Sequence, residues 1–537
     1  MAKVIVMRHL NFAALALMLL CACSKDDWSE GKLYFGEDIC HDEIQLGSRL
    51  ENPYKTENIR AAYSALCPTK AATEVKTTNL YVRFLPRTDK EYDAIMAENI
   101  DVLDHPLDYS IKREGDWYHD PEIPEDDYTW FYAVVPKDFN FKYYQYEKID
   151  ECVIMEHEVA TRAFGVDWSE VEKQAYRMTG NENLIEDAEQ AGMFGTRSSK
   201  KQKPSGRITI IDPDYNGGRP FGVSGVRVSC NSFVKFSRCY TDRDGYYQMP
   251  KSFSSKLRYR LVFTNKKGFA IGFNAIVVPA SVSTLGRGTP EGISLTVKSS
   301  SEGKLFRRCV VNNAAYDYYE RCSGEDLNIT TPASNLRFWI FNNISASSTV
   351  MMHHGTIVND KNIKKFLGPF GFIVTLFAPD ITIGTKGSTT YKDIYKSVVH
   401  EMSHASHFAQ VGTYYWNQYI RFIIESYLRG GADIYGKRDD EGSGYCEIGE
   451  MWGYYMESRM FYDRYGGNRQ SFGSSWWFYP QIFRYLEDRG MSPSQILAAM
   501  QKDITSRDEL QAKLCSLYPS KKSLIQQAFS RYVDTVE

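Results

Sequence analysis

Two histidines four residues apart, with an acid between them, are the residues of this chain best suited to do chemistry. They form the sequence His400-Glu401-Met402-Ser403-His404. On a helix, both imidazoles project from one face about one turn apart, so they can bind a single Zn²⁺. Glu401 then lies beside the metal, where it can take a proton from a zinc-bound water and pass it to a leaving amine. The pattern predicts one catalytic zinc, bound by His400 and His404, with Glu401 as general base.

A third protein ligand has to come from elsewhere, because a catalytic zinc has three protein ligands and one open position. The residue six positions after His404 is Gln410, which excludes the extended motif with a third histidine. His407 lies nearly one turn further along the same face, and we expect it to line the site rather than bind the metal. Glu425 is one acidic alternative, but it lies in an apolar run that is typical of core packing.

A later segment carries an acidic and phenolic stripe that favours a glutamate ligand. Glu447, Glu450, Tyr454 and Glu457 recur there at helical spacing between apolar residues. A buried acidic stripe requires a cation, which zinc would supply. We predict Glu450 as the third ligand, with Glu447 as the alternative. The hydroxyl of Tyr454 or Tyr445 is suited to donate a hydrogen bond to the oxyanion of a tetrahedral intermediate.

Three stretches around these residues resemble a known family. Residues 400–410, 447–457 and 472–480 are similar to the gluzincin-type zinc metallopeptidase lipoproteins of Bacteroidetes-type bacteria. The resemblance implies a single catalytic zinc held by two histidines and a glutamate, with the first glutamate as general base. It implies hydrolysis of peptide bonds in extracellular proteins or glycoproteins, and it indicates no particular substrate.

The N-terminus is predicted to be a lipoprotein signal peptide, residues 1–23. Basic residues precede an apolar run, residues 12–20, which is too short to span a bilayer. The sequence Leu-Cys-Ala-Cys that ends at Cys23 resembles a bacterial lipobox, which implies lipidation of the Cys23 thiol. Residues 24–27 resemble a surface-export signal. We therefore expect a lipid-anchored protein of the outer membrane that faces the cell surface; a plain secretory peptide is the alternative.

The first part of the mature chain offers no recognisable site. Residues 24–195 are predicted to form a mixed α/β domain, with buried strands over 80–85 and 130–135. His157, between two glutamates, echoes the zinc motif but lacks a second histidine, so we expect no metal there. Residues 196–206 are basic, polar and interrupted by Pro and Gly, which predicts a linker. A sharper alternative is a processing site that releases an inhibitory N-terminal domain.

The remaining chain completes a multidomain α+β protein. Residues 207–300 contain short strands, and their stretches 225–228 and 241–247 resemble the carboxypeptidase-regulatory-like, transthyretin-like β-sandwich. Such modules position or stabilise a catalytic domain. Residues 301–537 are predicted to form a zincin-like domain, mostly α-helical with a small sheet. Its strand 381–384 is expected at the edge of that sheet, where it would pair with an extended peptide substrate.

The charge of the chain bears on the kind of partner it can bind. The net charge of -3, with both signs interspersed, gives no electrostatic case for nucleic-acid binding. We expect a protein or peptide substrate, and contact with a membrane through the lipid anchor. The chief alternative is a non-catalytic binding or assembly lipoprotein of a nutrient-uptake system. Retention of Glu401 favours catalysis, because a site that is only a relic needs no base.

Two cysteine pairs are close enough in sequence for local disulfides in an oxidising compartment. They are Cys230 with Cys239, and Cys309 with Cys322. The chain has no Cys-x-x-Cys sequence, which argues against a cysteine zinc site.

Overall fold

A computed structural model describes residues 43–532 with internal gaps. The gaps are 70–73, 89–90, 93, 96–97, 99, 116, 125–126, 142–144, 186–202, 273–279, 300–302, 343–344, 357–378, 389, 431–434 and 469–476, together with the side chains of 427–430. The predicted signal peptide, Cys23 and most of the predicted linker lie outside the described residues. Among the helices described, none has the length and apolar character needed to cross a bilayer.

The N-terminal region folds around a four-stranded antiparallel sheet in the order β3-β5-β2-β6. A two-stranded ribbon, β1 with β4, accompanies it, together with the helices α1, α2 and α3. The strands predicted over 80–85 and 130–135 are confirmed as β2 and β5, which pair with each other. The elements are β1 (Gln45–Arg49), α1 (Thr56–Leu66), β2 (Asn79–Phe84), β3 (Val102–Leu103), β4 (Tyr109–Arg113), β5 (Phe131–Pro136), β6 (Glu147–Cys152), α2 (His157–Phe164) and α3 (Trp168–Met178).

The middle of the chain forms two layers of β-structure that share one buried core. One layer pairs β7 (Ser205–Ile210) with β8 (Phe221–Gly222), β11 (Tyr246–Gln248) and β15 (Leu295–Val297). The other layer pairs β9 (Val226–Ser232) with β10 (Lys235–Tyr240) and β12 (Leu257–Asn265), and β12 with β14 (Val282–Gly288). Alternate residues of both layers point into the core, as in a sandwich of sheets.

This second layer continues into the C-terminal region. β12 pairs with β13 (Ala270–Ile271), β13 with β16 (Arg337–Phe341), β16 with β18 (Ile381–Gly384), and β18 with β17 (Ser348–Thr349). A single apolar core then extends from Ile208 to Phe529. The sandwich and the C-terminal helices are thus joined by one sheet and one core across the boundary predicted at residue 300.

The expectation that strand 381–384 forms the sheet edge is wrong. This strand, β18, lies between β16 and β17, and the two-residue β17 occupies the edge among the described strands. The side-chain hydroxyls of Ser348 and Thr382 lie 2.8 Å apart across this pair. An upstream segment of the chain therefore covers the side of β18 that was expected to be free.

Helices form the rest of the C-terminal region. They are α4 (Gly303–Cys322), α5 (Tyr391–Gly430), α6 (Ser443–Tyr465), α7 (Gln481–Glu487), α8 (Pro493–Leu497), α9 (Arg507–Leu517) and α10 (Lys522–Arg531). The Thr390 hydroxyl caps the start of α5 by accepting the Asp393 N–H at 3.2 Å. Gly412, with φ 82° and ψ 177°, interrupts α5. The first segment of α5 packs against α6.

The disulfide predicted between Cys309 and Cys322 is wrong. Both residues lie on α4, thirteen positions apart, which separates them by about 20 Å along the helix. A disulfide requires Cα atoms within about 7 Å. Cys230 and Cys239 lie on neighbouring strands, and both are free thiols.

Candidate metal centre

Three buried side chains on two helices bring their donor atoms to one point. α5 carries His400 and His404, and α6 carries Glu450. The two Nε2 atoms lie 3.0 Å apart, and each lies 3.5 Å from one carboxylate oxygen of Glu450. Two donors bound to one tetrahedral zinc at about 2.0–2.1 Å are about 3.3–3.4 Å apart. The spacing therefore fits three ligands that share one ion.

A glycine of α6 permits this approach. A Cβ placed at Gly453 would lie 2.9 Å from His404 Cε1 and 3.0 Å from both Cε1 and Nε2 of His400. A side chain at this position would have to displace the imidazoles, so the backbone of α6 faces the two rings directly. One turn earlier, a Cβ at Gly449 would meet Tyr419 at 3.5 Å, an ordinary contact.

Further side chains orient the three donors. Glu457 Oε2 lies 2.9 Å from His400 Nδ1. When Nδ1 donates its proton to this carboxylate, Nε2 is unprotonated and faces the centre. Lys396 Nζ lies 3.1 Å from the other oxygen of Glu457. The Tyr419 hydroxyl donates to Glu450 Oε1 at 2.5 Å. These contacts hold two of the three donors in one orientation.

Glu401 lies beside the three donors and is almost completely buried, with 1 % of its surface exposed. The Thr349 hydroxyl, from the edge strand β17, lies 2.8 Å from both the carboxylate Oε2 and the backbone carbonyl oxygen of Glu401. Burial raises the pKa of Glu401 to about 7, although His400 and the Thr349 hydrogen bond act in the opposite direction. A carboxyl group with such a pKa is suited to exchange protons near neutral pH.

The centre is poor in positive charge and has unsatisfied atoms. Burial lowers the pKa of His404 to about 3, so its ring is neutral near pH 7. Nδ1 of His404 and Oε2 of Glu450 have no hydrogen-bond partner among the described residues. A neutral imidazole and a carboxylate oxygen are the forms in which these groups bind a metal. The donor set fits zinc, whose ligands are imidazole nitrogen and carboxylate oxygen.

The structure places the other candidate ligands away from the centre. Glu447 is held by Arg507, whose Nε donates to Glu447 Oε1 at 2.6 Å. Glu425 is exposed. His407 is fully buried against the rings of Tyr415 and Trp416, at centroid distances of 5.1 and 5.7 Å.

The two candidate tyrosines differ in position. The partly exposed Tyr454 ring lies 4.5 Å from the His400 ring and stacks on Phe478 at 5.9 Å. The Tyr445 ring lies 4.7 Å from the Tyr415 ring. Of these two candidates, Tyr454 is therefore the one that borders His400.

Four contributors were missed by sequence reasoning: Thr349, Lys396, Tyr419 and Gly453. Gly453 lies between Glu450 and Glu457, two acids on one face of the helix. A glycine inside a helix can indicate that another element approaches its backbone closely, so Gly453 could have been predicted. Lys396 lies one turn before His400 and shares its helical face. Thr349 is distant in sequence, and no local pattern connects it with Glu401.

Comparisons with known proteins identify no family. The sequence matches no family model, and no curated protein matches it. A crystal structure of (S)-allantoin synthase is similar at 14 % sequence identity, over 26 % of this chain and 50 % of that chain, with a TM-score of 0.12. The chain thus spans half the length of that protein, and the likeness is too low to carry an argument.

Proposed function

We propose that this protein is a zinc-dependent metallopeptidase. His400, His404 and Glu450 would hold the zinc, and Glu401 would act as general base. The observation that carries the proposal is the convergence of three buried side chains, whose donor atoms approach each other to 3.0 to 3.5 Å, next to a buried acid that does not belong to the donor set.

The charge of the cluster supports a divalent cation. The carboxylates of Glu401, Glu450 and Glu457 are buried within one site, and the Lys396 ammonium contacts Glu457. If all four groups are ionised, their charges sum to about -2, which is costly in a buried site. A divalent cation restores neutrality. Zinc, bound by imidazole and carboxylate, meets this requirement.

The side chains around the centre have defined roles in this proposal. When bound, zinc lowers the pKa of a water ligand to about 7 and polarises the scissile carbonyl. Glu401 takes the proton of the attacking water and transfers it to the leaving amine, while Thr349 keeps its carboxylate in place. Tyr454, partly exposed beside His400, donates to the developing oxyanion. Glu457 holds His400 in the tautomer that presents Nε2.

The substrate class is a peptide or protein, as the resemblance to gluzincin-type lipoproteins implies. The edge strand next to Glu401 is only two residues long, and the Trp416 indole N–H donates to the Thr349 carbonyl at 3.0 Å. Main-chain pairing with an extended peptide is therefore short, and side-chain contacts have to contribute more to recognition. Lipid anchoring at Cys23 in the outer membrane remains part of the proposal.

Activity and metal content test the proposal together. We expect the purified chain to hold about one zinc and to cleave a mixed peptide library, with loss of activity on chelation and recovery on adding zinc. Glu401→Gln should retain zinc and lose about 10²- to 10⁴-fold in kcat/KM, because the amide cannot accept the proton. Glu425→Gln, on an exposed position of the same helix, is the control and should be fully active.

Three outcomes would contradict parts of this assignment. If the wild-type chain binds no zinc, the proposed metal centre is wrong. Zinc binding without any peptide hydrolysis points to the non-catalytic binding lipoprotein. Full activity of Glu401→Gln removes Glu401 from the mechanism.

A further inference from the structure

The end of α6 meets the start of α5 and the sandwich around one largely buried cation. Arg464 is the second-to-last residue of α6, and 11 % of its side chain is exposed. Five aromatic rings surround its guanidinium, all within the range of about 6 Å over which a ring attracts a cation. These rings, called here the aromatic cage, and their centroid distances from Arg464 Cζ are Tyr215 (3.8 Å), Phe221 (5.3 Å), Tyr391 (4.9 Å), Tyr395 (5.0 Å) and Tyr465 (5.5 Å).

The sandwich supplies a carboxylate to this cation. Asp212, two residues after β7, is 0 % exposed, and its Oδ2 lies 3.5 Å from Arg464 Nη2. The same oxygen accepts a hydrogen bond from the Tyr465 hydroxyl at 2.8 Å. Loss of either charge would leave the other one buried without this partner, which is costly. The carboxylate of Asp212 therefore ties the end of α6 to the sandwich.

The aromatic cage joins the same point to α5. Tyr391 is the first residue of α5, and Tyr395 lies one turn later on the same helix. Phe221, on β8 of the sandwich, packs edge-on against Tyr391 at a centroid distance of 5.7 Å. The Tyr395 hydroxyl donates to Asp317 Oδ2 of α4 at 2.7 Å. Arg464 thus contacts the start of α5 and the sandwich together, and the cage fixes where the two helices begin and end relative to each other.

The helix ends held in this way lie close to the metal donors. His400 is five residues after Tyr395, about 7.5 Å along α5. Glu457 is seven residues before Arg464, about 10 Å along α6, and its Oε2 contacts His400 Nδ1 at 2.9 Å. Close-packed interiors transmit a displacement to their neighbours. A shift of the helix ends would therefore change the contact that orients His400.

We propose that Asp212 and Arg464 are positioning residues for the metal centre. Their ion pair fixes the end of α6 against the start of α5, and so sets the spacing of the two helices at His400 and Glu457. The inference rests on the proposed zinc site and adds to it. It gives the sandwich a part in building that site, through one carboxylate.

The zinc affinity of the folded full chain tests this role. We expect Asp212→Asn and Arg464→Met each to raise the zinc Kd about 3- to 10-fold, less than the factor of about 10 to 100 that loss of a direct partner of a metal ligand costs. Competition with a zinc chelator measures the Kd, and circular dichroism shows whether each variant is folded. The asparagine amide keeps the shape of Asp212 and can still accept from Tyr465, so we expect this variant to fold.

Three further variants separate positioning from general stability. Asp214→Asn removes an exposed ion pair with Lys392, which joins the same loop to α5, and should leave the Kd unchanged. Lys235→Met breaks a buried ion pair with Glu172 of α3, and should lower the melting temperature without changing the Kd. Arg464→Lys keeps a cation within reach of the aromatic cage, and should recover part of the affinity that Arg464→Met loses.

The ion pair should also behave as one unit. In the double variant of Asp212→Asn with Arg464→Met, the Kd should be close to that of either single variant, because each change alone already breaks the pair. If wild-type protein binds zinc and both single variants bind it equally well, the positioning role is wrong, while the proposed metallopeptidase stands. A Kd in Lys235→Met raised as much as in Asp212→Asn would also overturn the role, because stability alone would then explain the effect. If the wild-type chain binds no zinc, the proposed function fails first, and this inference fails with it.

Discussion

Two buried groups of histidine and glutamate in this molecule have similar composition and opposite electrostatics. The interface cluster consists of His157, Glu172 and Lys235, where α2 and α3 meet the sandwich. Its Glu172 lies 2.8 Å from His157 Nε2 and 2.6 Å from Lys235 Nζ, and all three side chains are nearly fully buried. The helix cluster consists of His400, His404, Glu450 and Glu457.

The difference lies in the source of the cation. In the interface cluster, Lys235 enters the buried site itself, and burial, which would raise the pKa of Glu172, is outweighed by His157 and Lys235, which lower it to about 2. In the helix cluster, the half-exposed Lys396 pairs with Glu457, and no described residue forms a hydrogen bond with Oε2 of Glu450. A buried cluster of histidine and glutamate thus indicates a metal site only where the protein's own cations do not balance the charge of the buried carboxylates.

Removal of one histidine from each cluster should produce the largest difference between the two clusters, measured as bound zinc. His404→Ala should reduce bound zinc from about one per chain to background, because the remaining two donors are too few to hold the ion. His157→Ala should leave the zinc content unchanged. Elemental analysis after dialysis measures both. Stoichiometric zinc in His404→Ala would show that the helix cluster is not the metal site.

Removal of the internal lysine should cost stability without affecting zinc. Lys235→Met leaves the Glu172 carboxylate buried with too little positive charge, and we expect a loss of about 3–5 kcal/mol in the free energy of unfolding. Lys173→Met is the control, because Lys173 forms an i,i+3 pair with the half-exposed Glu170 and should cost at most about 1 kcal/mol. Urea denaturation of both variants measures the difference. Equal losses would mean that the interface cluster contributes no special stability.

Acid should weaken the interface cluster. The folded pKa of Glu172 is about 2, below the unfolded value of about 4.3, so its contribution is present above pH 5 and is lost as the pH falls toward 2. The loss amounts to about 3 kcal/mol in total. Glu172→Gln cannot titrate, so its free energy of unfolding should depend less steeply on pH than that of the wild type. Parallel pH profiles would contradict the assigned pKa.

The smallest expected effect concerns the packing of α6 on the imidazoles. Gly453→Ala places a methyl group against both rings, and we expect it to displace them at a cost of about 1–3 kcal/mol and to weaken zinc binding. Gly449→Ala, whose new Cβ has an ordinary contact distance of 3.5 Å, should retain wild-type affinity. Competition with a zinc chelator measures both affinities. If the two variants bind zinc equally, close approach at Gly453 is unimportant.

Local periodicity was sufficient for several features. The spacing of His400 and His404 places them on one helical face, and the repeat of Glu447, Glu450 and Glu457 predicted a second acidic face. The apolar runs of β2 and β5 also predicted buried strands, because their β-branched and aromatic residues favour extended structure. These properties involve residues within a few positions of each other.

Periodicity failed where a long-range partner decided the outcome. The sequence favoured Glu450 but left Glu447 as an alternative; in the structure Arg507 pairs with Glu447, and Glu450 faces the histidines. Similarly, β18 looks like an edge strand until Ser348 and Thr349 pair with it. No pattern near either position contains this information.

The sequence by itself determined which residues share a face of a helix or strand, since that follows from the 3.6- and 2-residue repeats of the backbone. Only the tertiary structure decided what each face meets. Thr349 reaches Glu401 from 52 positions away, and Lys235 reaches Glu172 from 63 positions away. Such contacts depend on how whole elements pack, and packing is set by the sum of many weak interactions across the core rather than by any local spacing.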